Sequence, residues 1–222
     1  MLQAIGHILP IALAVAISSV PIMATIVILL SPKGTKTALP FLIGWVLGMA
    51  VVVTVCTLGA QVIPAPRTGR REATAIAVAG ILVGIALVVV AIVEWRRARR
   101  HPSDALPKWL ASVDKLGPWS AFGIAFALNA RPKGLLLAIA AGLAIRAANL
   151  SVGESAIVIA IYTIIGALTV AVPVILSLVD RKGMEPRLLE AKDWLSRNSV
   201  TVTALIVLLI GVVIIGAGLA NL

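Results

Sequence analysis

The chain has 222 residues, 60% of them hydrophobic and 13% charged, with a mean hydropathy of +1.09. A soluble domain of this size needs more polar residues to cover its surface, so the composition defines an integral membrane protein. The net charge of +10 implies no nucleic-acid partner, because the basic residues sit between apolar runs, as loops facing anionic lipid would place them.

A spanning helix needs about 20 apolar residues to cross about 30 Å of hydrocarbon. Six stretches meet that length: 5–30, 38–63, 73–94, 119–145, 154–179 and 199–220. Lipid offers no partners to backbone polar groups, and barrel-like alternation is absent, so the expected fold is an all-α bundle of six transmembrane helices. The chain reads as one transmembrane domain, 1–222, with a first repeat (1–94), a basic link (95–118) and a second repeat (119–222).

The first stretch lacks a basic leader, and its apolar run continues to Leu30, so it reads as a retained span rather than a cleaved signal. Halfway along it lie Ser18, Ser19 and Pro21. The second and third stretches carry Gly44/Gly48 and Gly80/Gly84. This small-xxx-small spacing suits close packing inside the bundle, with homodimerisation as a second reading. The run EWRRARRHPSD then opens the basic link and reads as a positive-inside anchor.

The fourth stretch holds FALNARPKGLLLA, which places Asn129, Arg131, Pro132 and Lys133 in the middle of an apolar run. Arg131 lies twelve residues past Trp119, roughly 18 Å along a helix, too deep to snorkel with ease. On an unbroken helix Asn129, Pro132 and Lys133 would share a face, with Arg131 turned away. After the fifth stretch, Glu185 to Arg197 (EPRLLEAKDWLSR) suggests a short interfacial helix with Leu188, Ala191 and Leu195 on one face.

Loop charge sets the orientation. Lys33 and Lys36, then Arg96, Arg97, Arg99, Arg100, Lys108 and Lys115, then Arg181, Lys182, Arg187, Lys192 and Arg197 share one side; only Arg67, Arg70, Arg71 and Arg146 occupy the other. The positive-inside rule puts the odd loops in the cytoplasm and both termini outside a plasma (inner) membrane. Trp95, Trp119 and Trp194 fall at the cytoplasmic ends of spans, as an interfacial belt would.

The halves echo each other. In AISSVPIMATIVIL and FALNARPKGLLLAI a polar residue precedes a mid-span proline by three positions, Ser18 before Pro21 and Asn129 before Pro132. Three helices, a charged link and three more is the plan of two inverted three-helix repeats, with helices 1 and 4 broken at Pro21 and Pro132. Each proline withholds an N–H from the residue four positions earlier, Ile17 or Leu128. The freed carbonyls need side chains, water or substrate at mid-depth. All nine acids lie at span ends or in loops, so none is well placed to neutralise Arg131 or Lys133, and buried cations of that kind imply water and an anion. The candidate substrate-binding residues are therefore Ser18, Ser19, Pro21, Asn129, Arg131, Pro132 and Lys133.

With its six spans, its helix-one proline and its NARPKG in helix four, the chain resembles the lysine exporter (LysE) superfamily, where an Asn-Pro-Lys-type motif lies in helix four. It is most similar to the mycobacterial Sap and GAP proteins, the sulfolipid- and glycopeptidolipid-addressing proteins. The Pro-Gly-Pro of amino-acid exporters is here Ser19-Val20-Pro21-Ile22, which points away from amino acids, and the additional Arg131 suits an anionic headgroup. The resemblance implies export of a cell-envelope lipid or glycolipid.

Three functions are compatible with the residues. The first is an exporter or flippase for an amphipathic, anionic envelope lipid, and the second an exporter of small solutes such as amino acids. The third is a non-transporting partner of envelope-lipid synthesis machinery. An enzyme is not expected, since there is no Ser-His-Asp set, HExxH or Walker loop. No cofactor or metal is implied either: Cys56 is the only cysteine, and His7 and His101 fall at opposite sides of the membrane.

Overall fold

The computed structural model describes residues 2–62, 69–100 and 117–219. Most of the basic link, including Lys108 and Lys115, lies outside the described residues, as does Arg67. The described residues form eight α-helices and no strand: α1 (Leu2–Ala16), α2 (Ser19–Leu30), α3 (Gly34–Val62), α4 (Gly69–Arg100), α5 (Pro118–Leu128), α6 (Pro132–Ala147), α7 (Val152–Val179) and α8 (Arg181–Leu219).

Two pairs of these helices are single apolar stretches bent in the middle. The α1–α2 pair bends by 47° and the α5–α6 pair by 61°. Neither break falls at its proline. α1 ends at Ala16, one residue before Ile17, whose carbonyl the Pro21 ring would strike, and α5 ends at Leu128, which carries the corresponding carbonyl for Pro132. The prolines sit in the first turns of α2 and α6, where a missing N–H costs no helical bond. Arg131, next to Pro132, is pushed into an extended conformation (φ −68°, ψ 150°), and Ser18 adopts a similar one (φ −75°, ψ 118°).

Among the described residues, 36–61 of α3 and all of α7 are long and apolar enough to span a membrane, and the two bent pairs raise the total to four. α4 and α8 contribute shorter apolar stretches, Ala77–Val93 and Ala204–Gly216. The surface of these helices is itself apolar: Leu39, Ile43, Leu47, Val51 and Val55 form an exposed stripe along α3. Such a stripe is a liability in water and the normal outer face of a helix in lipid, so the protein is membrane-embedded.

The core joins all the bent and straight helices, with Ile8, Ile28, Phe41, Leu87, Leu137, Tyr162 and Val207 fully buried. α3 packs on α5 and α6, α7 packs on α1 and α2, and α4 runs along α8. Glycines permit the closest approaches. A Cβ at Gly44 would meet the Phe122 carbonyl oxygen, and one at Gly48 would lie 3.0 Å from the Phe126 Cα. Gly84 and Gly211 bring α4 and α8 together, since a Cβ on either would lie within 3 Å of the other's carbonyl oxygen. Gly44, Gly48 and Gly84 are therefore bundle-packing positions, whereas Gly80 faces open space.

The expected interfacial helix at 185–197 is not a separate element. It is the first half of α8, a continuous helix of 39 residues. The Asp180 carboxylate accepts the Gly183 N–H (3.0 Å) and so starts the helix before Pro186, which lies inside α8 as its sixth residue and withholds the N–H that would bond the Lys182 carbonyl. Leu188 and Leu195 turn into the protein core rather than toward lipid, and Ala191 is exposed. At the other end of the bundle α6 closes on Asn149 in the left-handed region (φ 48°), and α7 starts with a Ser151/Glu154 capping box.

Candidate functional site

Each break leaves a carbonyl without its helical partner, and a side chain takes it up. At the first break Thr169 Oγ1 of α7 donates to the Ala16 carbonyl, the last of α1. At the second, the buried Asn129 amide donates to Ala125 O (3.1 Å) on its own helix and to Trp45 O (3.3 Å) on α3. A hydroxyl and an amide thus do in lipid what water does at an exposed helix end. Asn129 is committed to main-chain carbonyls through its N–H groups and holds the break in place.

The two breaks face one cavity of about 290 Å³. All seven residues singled out from sequence line it: Ser18, Ser19 and Pro21 from one break, Asn129, Arg131, Pro132 and Lys133 from the other. Arg131 shares the cavity because the helix is interrupted beside it, so the facing expected for an unbroken helix does not apply. Its side chain is exposed, and that of Lys133 is half-buried. Among the residues whose side chains are described, no acid lines the cavity.

Two helices begin at this cavity. Neither N-cap residue, Ser18 for α2 or Arg131 for α6, bonds its side chain to the first turn. Helix N-termini carry partial positive charge and outward N–H groups, so both add to the field of Arg131 and Lys133. The remaining wall is apolar. Val89, Val90 and Val93 of α4 contribute to it, and Val89 and Val93 are more than half exposed, so the cavity reaches the outer surface of α4.

Sequence reasoning passed over three contributors: Trp45, Thr169 and the α4 valines. Trp45 lines the cavity and is only 4% exposed, and its indole N–H meets no acceptor among the described residues. An unmet buried donor costs about 1–3 kcal/mol. The signal was present in FLIGWVLGM, a tryptophan whose neighbours in sequence hold no side-chain acceptor. Thr169 and the valines look like ordinary span residues, and nothing local marks them.

These features define a membrane-embedded helical protein in which two bent helices meet at a cation-bearing cavity open to its apolar flank. Neither curated proteins nor solved structures yield a match to the chain. Its family is nevertheless plain: residues 8–220 match the model of Sap, the sulfolipid-1-addressing protein, and the chain belongs to that family.

Proposed function

We propose that this Sap-family chain is a transporter that exports or flips an amphipathic, anionic envelope lipid. Its headgroup would rest between the two helix breaks while its tails stay in the bilayer. The observation that carries this reading is the make-up of the cavity. Two uncapped helix N-termini and the cations Arg131 and Lys133 face it, and its described α4 lining is valine. A volume of about 290 Å³ suits a headgroup rather than a whole lipid. The exposed Val89 and Val93 offer the tails a lateral path that a small-solute site would not need. The family's description as sulfolipid-addressing supports the same substrate class.

The frame of the proposal is six spans, with α4 and α8 as the third and sixth. Two packing relations support an inverted pair of three-helix repeats: α3 lies on the bent pair α5–α6, and α7 on the bent pair α1–α2. Kinship with the lysine exporters and a plasma membrane with both termini outside complete the proposal.

The test is a lipid analysis of the envelope of cells with and without the protein, repeated with Arg131→Gln and Lys133→Gln. Loss of one anionic lipid class from the outer envelope, in the deletion and in both inserted and folded variants, is the expected result. Normal export by both variants sinks the headgroup site.

A further inference from the structure

We infer that a second pocket, at the end of the bundle where α6 turns into α7, is a binding site for an uncharged, hydroxyl-rich group such as a polyol or a glycosyl head. This goes beyond the proposed function and does not depend on it. The pocket holds about 300 Å³ and is separate from the cation-bearing cavity. The two lie along the same pair of helices, with Trp45 and Leu137 lining the cavity and Thr57 and Ile145 lining the pocket. Between them α3 and α6 touch backbone to backbone: a Cβ at Gly142 would lie 2.8 Å from the Cys56 carbonyl carbon.

Three elements bring polar side chains to the pocket: Gln61 from the end of α3, Asn149 from the α6–α7 turn and Ser155 from the start of α7. Gln61 and Asn149 are exposed and Ser155 is half-buried, so a ligand can reach all three. Asn149 sits in the left-handed region (φ 48°), which asparagine tolerates, and this conformation fixes the turn that carries its amide. Thr57 adds little, since it is buried and its hydroxyl donates to the Val53 carbonyl (2.8 Å). Arg146 lies in the last turn of α6, where the partial negative charge of the helix end favours a cation. The ligand class follows from what the three reachable groups offer. An amide brings N–H groups and a carbonyl oxygen, and a hydroxyl both donates and accepts. An oxyanion would use only their donors and an ammonium only their acceptors. Several hydroxyls on one small frame would use both.

The test uses the full chain in nanodiscs and three probes: a short-chain glucosyl lipid, the same lipid with its sugar hydroxyls methylated, and free glucose. The wild type is expected to bind the glucosyl lipid about tenfold more tightly than the methylated one, which has lost its donors. Gln61→Met and Asn149→Gly, the second chosen because glycine keeps the left-handed turn, should each weaken the glucosyl lipid about tenfold. No saturable binding of the glucosyl lipid, equal affinity for the two lipids, or unchanged affinity in both variants overturns the assignment. Glucose that matches the glucosyl lipid in affinity keeps the assignment and makes the ligand a soluble polyol. A second measurement requires no variant to fold. A glucosyl lipid with a diazirine on its head should label 57–61 and 145–155 of the wild type, and excess unlabelled glucosyl lipid should prevent it. Labelling that spares both segments also overturns the assignment.

Discussion

The Asn129 side chain reaches from the turn between α5 and α6 to the main-chain carbonyl of Trp45, 84 residues away in the chain and 3.3 Å away in space. The same amide closes on Ala125 O at 3.1 Å, so one side chain both ends α5 and ties it to α3. Truncating it leaves the Ala125 carbonyl unmet in an apolar setting and cuts the tie to α3. Asn129→Ala is expected to cost about 2 kcal/mol of stability, read as a lower thermal midpoint of the purified protein. Asn129→Asp should cost more, because it turns carboxylate oxygens toward carbonyl oxygens. A midpoint unchanged in both variants would mean that the amide does not hold the break.

The α3–α5 contact depends on the absence of a side chain at Gly48. A Cβ there would lie 2.6 Å from Asn129 Nδ2 and 3.0 Å from the Phe126 Cα and carbonyl oxygen, and backbone cannot swing aside. Gly48→Ala should destabilise the protein by about 1–3 kcal/mol. Gly80→Ala has nothing within 4 Å of its new methyl and should stay within about 0.5 kcal/mol of wild type or gain slightly. Melting of the two variants side by side separates a packing glycine from a spare one, and equal midpoints would contradict the difference.

Thr169 and Thr163 lie on the same helix and have different duties. The Thr169 hydroxyl supplies a partner to Ala16 O across the α1–α2 break, whereas that of Thr163 bonds back to Ile159 O within α7 (2.8 Å). The Ile159 carbonyl belongs to a continuous helix and keeps a backbone partner when the hydroxyl is removed. Thr169→Val should therefore destabilise by about 1–2 kcal/mol and Thr163→Val by less than half as much. Chemical unfolding in mixed micelles reads the difference, and the reverse order would show that the break is capped by other means.

Much of this arrangement was legible in the chain because its signals are local. Apolar runs mark helices, and a proline with a polar residue three positions before it marks a break. The displacement of each break upstream follows from the same rule, since the proline ring strikes the carbonyl four residues earlier, yet sequence reading centred the breaks on Pro21 and Pro132. The 185–197 segment misled for a physical reason: its polar composition resembles a surface helix, while Leu188 and Leu195 find their partners in distant helices. Trp45 and Thr169 were not legible as partners of the breaks. Their roles arise from contacts across 84 and 153 residues, which no period or motif records.

The central claim is that an anionic lipid head lies between the two breaks. Photo-crosslinking tests it most directly, with a short-chain sulfate lipid carrying a diazirine beside the head, reconstituted with the full chain and mapped by peptide mass spectrometry. The account predicts adducts on the Ser18–Pro21 and Asn129–Leu137 segments, lost in the Arg131→Gln/Lys133→Gln double variant. Adducts confined to the outer stripe of α3 around Leu39 and Leu47, and unchanged in the double variant, would contradict it.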